Sequence, residues 1–124
     1  MAKRKGLTYE ERMINALKKI PCPLKDNKHR ILIYFEDNRA RSNQGRFEHI
    51  SLSRHDLCYG DIKRIINHIN ESILKKDLER KGTYNLYIKR NNYGNEYIKI
   101  ALELDFHKSN KAIVKTMFIT ITVK

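Results

Sequence analysis

The chain is poor in the residues that build covalent or metal-held frameworks. Its 124 residues include only two cysteines, Cys22 and Cys58, too few for a disulfide scaffold. A structural zinc site draws about four ligands from local pairs. Neither a C-x-x-C nor an H-x-x-x-H pair occurs, and Cys58 beside His55 is the nearest approach to one. No metal and no other cofactor is therefore expected. Long apolar runs are missing as well. A membrane-spanning helix needs roughly 20 apolar residues, and no segment approaches that. The basic start Met1-Ala2-Lys3-Arg4-Lys5 is not followed by the apolar core of a signal peptide. The expectation is a protein without membrane attachment, made and used in the cytoplasm. There is no internal repeat and no low-complexity linker, so one domain over 7–124, preceded by a loose basic arm over 1–6, accounts for the length.

Acidic residues are the other scarcity. Lys and Arg total 26 against 14 Asp and Glu, a formal charge of +12. Beyond Asp105 no carboxylate side chain follows, while Lys108, Lys111, Lys115 and Lys124 remain. Such an excess attracts polyanions and acidic surfaces, and nucleic acid is the expected partner. With 40% hydrophobic residues, the chain has enough apolar material to fold rather than stay disordered.

Periodicity outlines the elements. Thr8-Tyr9-Glu10-Glu11 is a capping box, and Met13, Ile14, Leu17 and Ile20 recur at helical spacing until Pro21 and Pro23 stop the pattern. Ile31 to Phe35 reads as a buried strand. A polar loop spans 37–45, with Arg39, Arg41 and Arg46 in or beside it. Residues 47–52 alternate as a short strand, Phe47, His49 and Ser51 on one side and Glu48, Ile50 and Leu52 on the other. His49 then faces outward if Ile50 and Leu52 face the core. A second helix is predicted from about Asp61 to Lys76, its stripe being Ile62, Ile65, Ile66, Ile69 and Ile73. Three strands follow over 83–89, 97–106 and 112–123, joined by short polar turns. Tyr84, Leu86 and Ile88 share one side of the first. In the last, Ile113, Met117, Ile119, Ile121 and Val123 oppose Thr116, Thr120 and Thr122. The class is α+β: an N-terminal helix and a second helix packed on one face of a C-terminal antiparallel meander.

The chemistry-bearing segment is His49-Ile50-Ser51-Leu52-Ser53-Arg54-His55. Imidazole exchanges protons near neutral pH, and an arginine can hold a phosphate through two hydrogen bonds. RNA cleavage by the substrate's own 2′-hydroxyl needs a group to take that proton, a group to return one to the leaving oxygen, and donors for the phosphate charge. His55 and His49 suit the proton roles and Arg54 the phosphate. Thr116 or Thr120, off the apolar side of the last strand, can add a hydroxyl. Arg39, Arg41, Arg46, Lys63, Arg64, Lys89 and Arg90 are the candidate nucleic-acid contacts, and Tyr84, Tyr87, Tyr93 and Tyr97 are aromatic residues able to stack on bases. His29, His68 and His107 have no neighbours in sequence that suggest a role.

The pattern His49-Ile50-x-x-x-Arg54-His55, then a helix near Asp61-Ile62, then a meander ending in a Thr-bearing strand, resembles the barnase–EndoU–colicin–RelE group of small nucleases. The likeness is greatest to its phage and polymorphic-toxin branches and covers roughly residues 47–124. It implies a metal-independent RNase, toxin-like, neutralised by an antitoxin or immunity protein. It also implies His55 as leading acid/base residue, Arg54 as phosphate holder, His49 as second proton carrier, and Thr116 or Thr120 as strand hydroxyl. The mid-sheet cation found in some members would fall to Lys89, Arg90 or Lys99. Two other readings use the same charge: a non-catalytic nucleic-acid-binding protein, and a phage-type protein that binds or inhibits a host enzyme.

Overall fold

A computed structural model describes residues 8–37, 39–41, 44–53, 56–105 and 108–123. The basic arm over 1–6 lies outside these residues. The first helix, α1 (Tyr9–Lys18), starts at the predicted box: the Thr8 hydroxyl accepts from the Glu11 amide, and the Glu11 carboxylate accepts from the Thr8 amide. Its stripe is buried at Met13, Leu17 and the trailing Ile20. A hairpin of β1 (Leu24–Asp26) and β2 (Ile31–Tyr34) follows, then a small separate hairpin of β3 (Arg39–Arg41) and β4 (Gln44–Gly45).

Residues 46–53 form a helix, α2 (Arg46–Ser53), where alternation predicted a strand. The buried positions explain the difference. Phe47, Ile50 and Ser51 are the residues packed inward, and that i, i+3, i+4 spacing is helical. Asp37 holds the helix start, its Oδ1 accepting from the Phe47 amide at 3.0 Å. Gly45 is needed for that approach, because a Cβ there would lie 2.7 Å from the same oxygen.

The next helix, α3 (Tyr59–His68), is shorter than expected. It passes into a 3₁₀ turn (Ile69–Glu71), and the chain then leaves as a strand, β5 (Ile73–Lys76). The isoleucine stripe extrapolates through residue 73, but burial stops at Ile69, and Ile73 is exposed. Pairing of Ile73–Lys76 with Tyr84–Tyr87 satisfies backbone groups that a continued helix would present to solvent.

Three long strands complete the chain: β6 (Thr83–Lys89), β7 (Tyr97–Leu104) and β8 (Lys111–Thr120). They are consecutive antiparallel neighbours, as the meander requires. The sheet is larger and mixed, however, in the order β1-β2-β8-β7-β6-β5, and β2 runs parallel to β8. Leu86, Ile88, Ile98, Ile100, Leu102, Leu104, Ala112, Val114 and Met117 of the meander join the buried side chains of the three helices in one cluster. The molecule is therefore α+β, with its core between helices and sheet. Among the described residues no helix is long and apolar enough to cross a membrane.

One irregularity changes a face. Ala101 pairs with Thr116, but Leu102 pairs with Val114, so Lys115 is an extra residue in β8. This bulge reverses the alternation. Met117 and Ile119 share the core side with Val114 and Ala112, whereas Ile113 falls on the opposite side together with Thr116, Phe118 and Thr120. Strict alternation had put Ile113 beside Met117.

Candidate functional site

The face of the meander turned away from the helices carries a cross-strand row of Thr83, Glu103 and Ile113 at one end, followed by three more. Lys75, Asn85, Ala101 and Thr116 are successive partners in the first of these three. Ile73, Tyr87, Lys99 and Phe118 make the second, and Lys89, Tyr97 and Thr120 the third. On this side Tyr87 is 1% exposed, Asn85 6% and Ala101 8%. Tyr87 and Ala101 lie outside the hydrophobic cluster, so this is a second, polar, shielded layer. The Lys99 ammonium helps to shield it, 5.8 Å from the ring centre of Tyr87 and 5.3 Å from that of Phe118, within range for cation–π attraction.

Three shielded oxygens in this layer have no hydrogen-bond partner among the described residues: Asn85 Oδ1, Tyr87 Oη and Thr116 Oγ1. Buried polar groups are normally satisfied, and each exception needs a reason. The Asn85 amide nitrogen does have a partner, Asp77 Oδ2 at 3.3 Å. Asp77 is held by turn contacts: the Glu79 amide, then the Asn85 side chain and the Arg80 amide, keep its carboxyl below the usual carboxylate range.

The two candidate threonines are separated by their environments. Thr120 is occupied locally: its hydroxyl accepts from the Thr122 amide at 3.1 Å and lies 3.4 Å from the Thr122 carbonyl. Thr116 sits at the bulge with its hydroxyl unspent. Arg46, the first residue of α2, reaches this bulge and donates from Nη1 to the Lys115 carbonyl at 2.6 Å. Burial lowers its pKa, with Glu103 nearby acting in the opposite direction.

Arg54 and His55 lie outside the described residues, but the chain on either side of them is anchored. His49, on α2, is half-buried. Immediately after the pair, Leu57 is buried, and its carbonyl accepts from the Tyr9 hydroxyl at 2.6 Å. Burial, reinforced by the charge of Asp56, pushes the Tyr9 phenol up to about 12. Arg90 clamps the same segment. Its Nε and Nη2 grip Asp61 Oδ1 and Oδ2 at 2.9 and 3.1 Å, Nη2 also donates to the Asp56 carbonyl at 3.1 Å, and Nη1 meets Glu96 Oε1 at 3.3 Å. The Asp61 carboxylate holds this guanidinium more firmly protonated than usual. Arg90, assigned from sequence to nucleic acid, thus has all three nitrogens engaged within the protein. It fixes the loop that follows residues 54–55.

The remaining cations are dispersed. Arg39 and Arg41 fall on the β3 backbone of the small hairpin. Lys63 is exposed on α3, beside a groove shared with Arg12 and Lys19 of the first helix segment. Arg64 donates from Nε to the Lys89 carbonyl at 2.8 Å and from Nη2 to Asn92 Oδ1 at 3.2 Å. Lys89 is exposed at the end of β6. A second basic cleft, of about 690 Å³ at the opposite end of the strands, gathers Lys76, Lys81, Lys108 and Lys111 around Glu103 and Asp105.

His29 has a partner that no sequence neighbour signalled as functional. Its Nδ1 is 2.7 Å from the buried Asp26 Oδ2, and Ser72 Oγ is 3.5 Å from the same nitrogen. The composition suggests a hydrolytic triad, but the geometry does not. A relay places the carboxylate on one ring nitrogen and the hydroxyl on the other. Here both meet Nδ1, and Ser72 Oγ also points to Asp26 at 3.4 Å. The trio is a staple between the β1–β2 turn and the start of β5, reinforced by Lys28 Nζ on the Ser72 carbonyl at 2.7 Å.

Comparison of the chain with family models, with curated proteins and with solved structures gives no match.

Proposed function

We propose that this protein is a small basic endoribonuclease that cleaves RNA without a metal, its scissile phosphate lying on the open face of the meander. The observation that carries the reading is the Thr116 hydroxyl: shielded, unpartnered among the described residues and set beside the bulge on the side away from the core, in a chain of net charge +12. A hydroxyl kept dry and unpaired is a ready donor for charge that develops on a phosphate oxygen. Lys99, one row along, supplies a positive charge on the same face.

In this reading one imidazole, His55 or His49, takes the proton from the 2′-hydroxyl. The 2′-oxygen bonds to phosphorus, the bond to the 5′-oxygen breaks, and the other imidazole returns a proton to that oxygen. Arg54 and Thr116 hold the non-bridging oxygens through the transition state. The product on one side is a 2′,3′-cyclic phosphate and on the other a free 5′-hydroxyl. Arg90 and Tyr9 serve as positioning residues, because they tie down the segment that follows His55.

Incubation of the purified protein with total cellular RNA in EDTA tests the proposal. Cleavage that leaves cyclic-phosphate ends is expected, together with its loss in His55→Ala while RNA binding is retained. Equal cleavage by the variant would reject the assignment of His55, and loss of activity on chelation would reject the metal-free chemistry.

A further inference from the structure

Beside the open face lies a cleft of about 290 Å³ where α3 meets the outer edge of β6. It exists because β5 pairs with β6 only as far as Tyr87, which leaves Ile88 and Lys89 without a strand neighbour on that side among the described residues. Arg64 and His68, one turn apart on α3, form one wall; Tyr87, Lys89, Asn92 and Tyr97 form much of the rest. Ligand pockets run from about 300 Å³ upward, so this one has room for a single nucleotide unit and not for a duplex.

Its groups are arranged in advance. Two hydrogen bonds, to Lys89 O and Asn92 Oδ1, fix the Arg64 guanidinium and leave Nη1 without a partner among the described residues. Glu71 Oε2 takes His68 Nδ1 at 2.9 Å, so the ring's Nε2 remains available. Tyr87 lines the cleft, and its phenol oxygen, shielded from solvent, has no partner among the described residues. Fixed cations beside aromatic rings are what a nucleotide requires, cations for its phosphate and a ring face for its base.

We infer that this cleft binds one nucleotide of a single-stranded RNA, with Arg64 and Lys89 on its phosphate and Tyr97 as the platform for its base. The inference rests on the reading of the open face as an RNA site and adds where the strand continues. Tyr87 belongs to both places. Along β7 the Tyr87 row lies two residues from Ala101 and the Tyr97 row four, about 7 and 14 Å at the usual strand rise, within the span of a short oligonucleotide.

The test is fluorescence anisotropy in EDTA with a labelled single-stranded RNA whose 2′-hydroxyls are all methylated, so that it binds but cannot react. Tyr97→Ala is expected to weaken binding about 5- to 100-fold, the usual worth of a stacked base, while Tyr97→Phe stays near the parent. Arg64→Ala and Lys89→Ala are each expected to lower the slope of log affinity against log salt by about 0.7. Lys25→Ala removes an exposed charge at the far edge of the sheet and is expected to do less than either. Should Tyr97→Ala fail to fold, Lys89→Ala, on an exposed side chain, carries the decision. Tyr97→Ala within twofold of the parent, Arg64→Ala and Lys89→Ala no worse than Lys25→Ala, or tighter binding of the duplex form would overturn the inference. Cleavage of the unmethylated RNA is followed in parallel. Tyr97-dependent binding without cleavage would sink the ribonuclease reading alone. Cleavage with Tyr97-independent binding would sink the nucleotide cleft alone.

Discussion

The two faces of the meander are made from the same three strands and follow opposite rules. Toward the helices stand Ile98, Ile100, Leu102, Val114 and Met117, fully buried in one apolar cluster. Away from them stand Asn85, Tyr87 and Ala101, buried almost as well, and the half-buried Thr116, with three shielded oxygens unpartnered among the described residues. Leu102 and Ala101 are adjacent in sequence and serve the two designs. An orphaned buried polar group costs about 1–3 kcal/mol. The second face therefore gives up stability that an apolar face would have kept, as expected of a surface that completes its hydrogen bonds only when a ligand arrives.

The largest expected effect lies on the helix-covered side. Leu102→Ala removes a side chain with no exposure and is expected to cost about 3–5 kcal/mol of unfolding free energy, transfer and cavity terms together. Chemical denaturation measures it. A loss under 1 kcal/mol would mean that the sheet is not packed as described. A smaller effect is expected at the joint between the two faces. Arg90→Ala strands the Asp61 carboxylate, 3% exposed, and releases the loop next to His55. The expected cost is about 2–3 kcal/mol, below the fully buried case because the guanidinium keeps some solvent contact. RNA cleavage per folded molecule is expected to fall as well. Unchanged cleavage in the folded variant would show that the loop is held without Arg90.

Periodicity alone revealed most of the covered face. The stripes of α1 and α3 and the inward residues of β6 follow from spacing, because burial against one large apolar layer repeats regularly. Three features escaped for physical reasons. Residues 47–52 fit a strand and a helix almost equally; their fate was settled by Asp37, which caps them from outside. The end of α3 was decided by the partner strand β6 and by the staple on Ser72, neither of which is local. The bulge at Lys115 leaves no mark in an alternating pattern, yet it decides which residues flank Thr116. As for the candidate site, the sequence offered Thr116 and Thr120 as equals, and only the Thr122 contacts told them apart. The sequence offered Arg64, Lys89, Tyr87 and Tyr97 one by one, but not the cleft beside His68, since Arg64 and Tyr97 come to one place only through the fold.

The smallest expected effect on stability is also the one that separates the faces most sharply. Thr116→Val keeps the shape and the β-branching of the side chain while deleting its unpaired hydroxyl. On a face organised for stability the change would cost free energy, since a working hydrogen bond contributes about 1 kcal/mol. Here the hydroxyl has no bond to lose. The midpoint of denaturation is expected to stay put or rise, by up to about 1 kcal/mol as the desolvation penalty is relieved. RNA cleavage is expected to drop about 10²-fold or more, the scale for removing one donor from a developing oxyanion. Tyr87→Phe gives the internal check: it too removes an orphaned hydroxyl and is expected to leave stability equal or higher. A Thr116→Val protein that is clearly less stable and just as active would mean that the oxygen finds a partner within the folded chain. The open face would then be an ordinary polar surface.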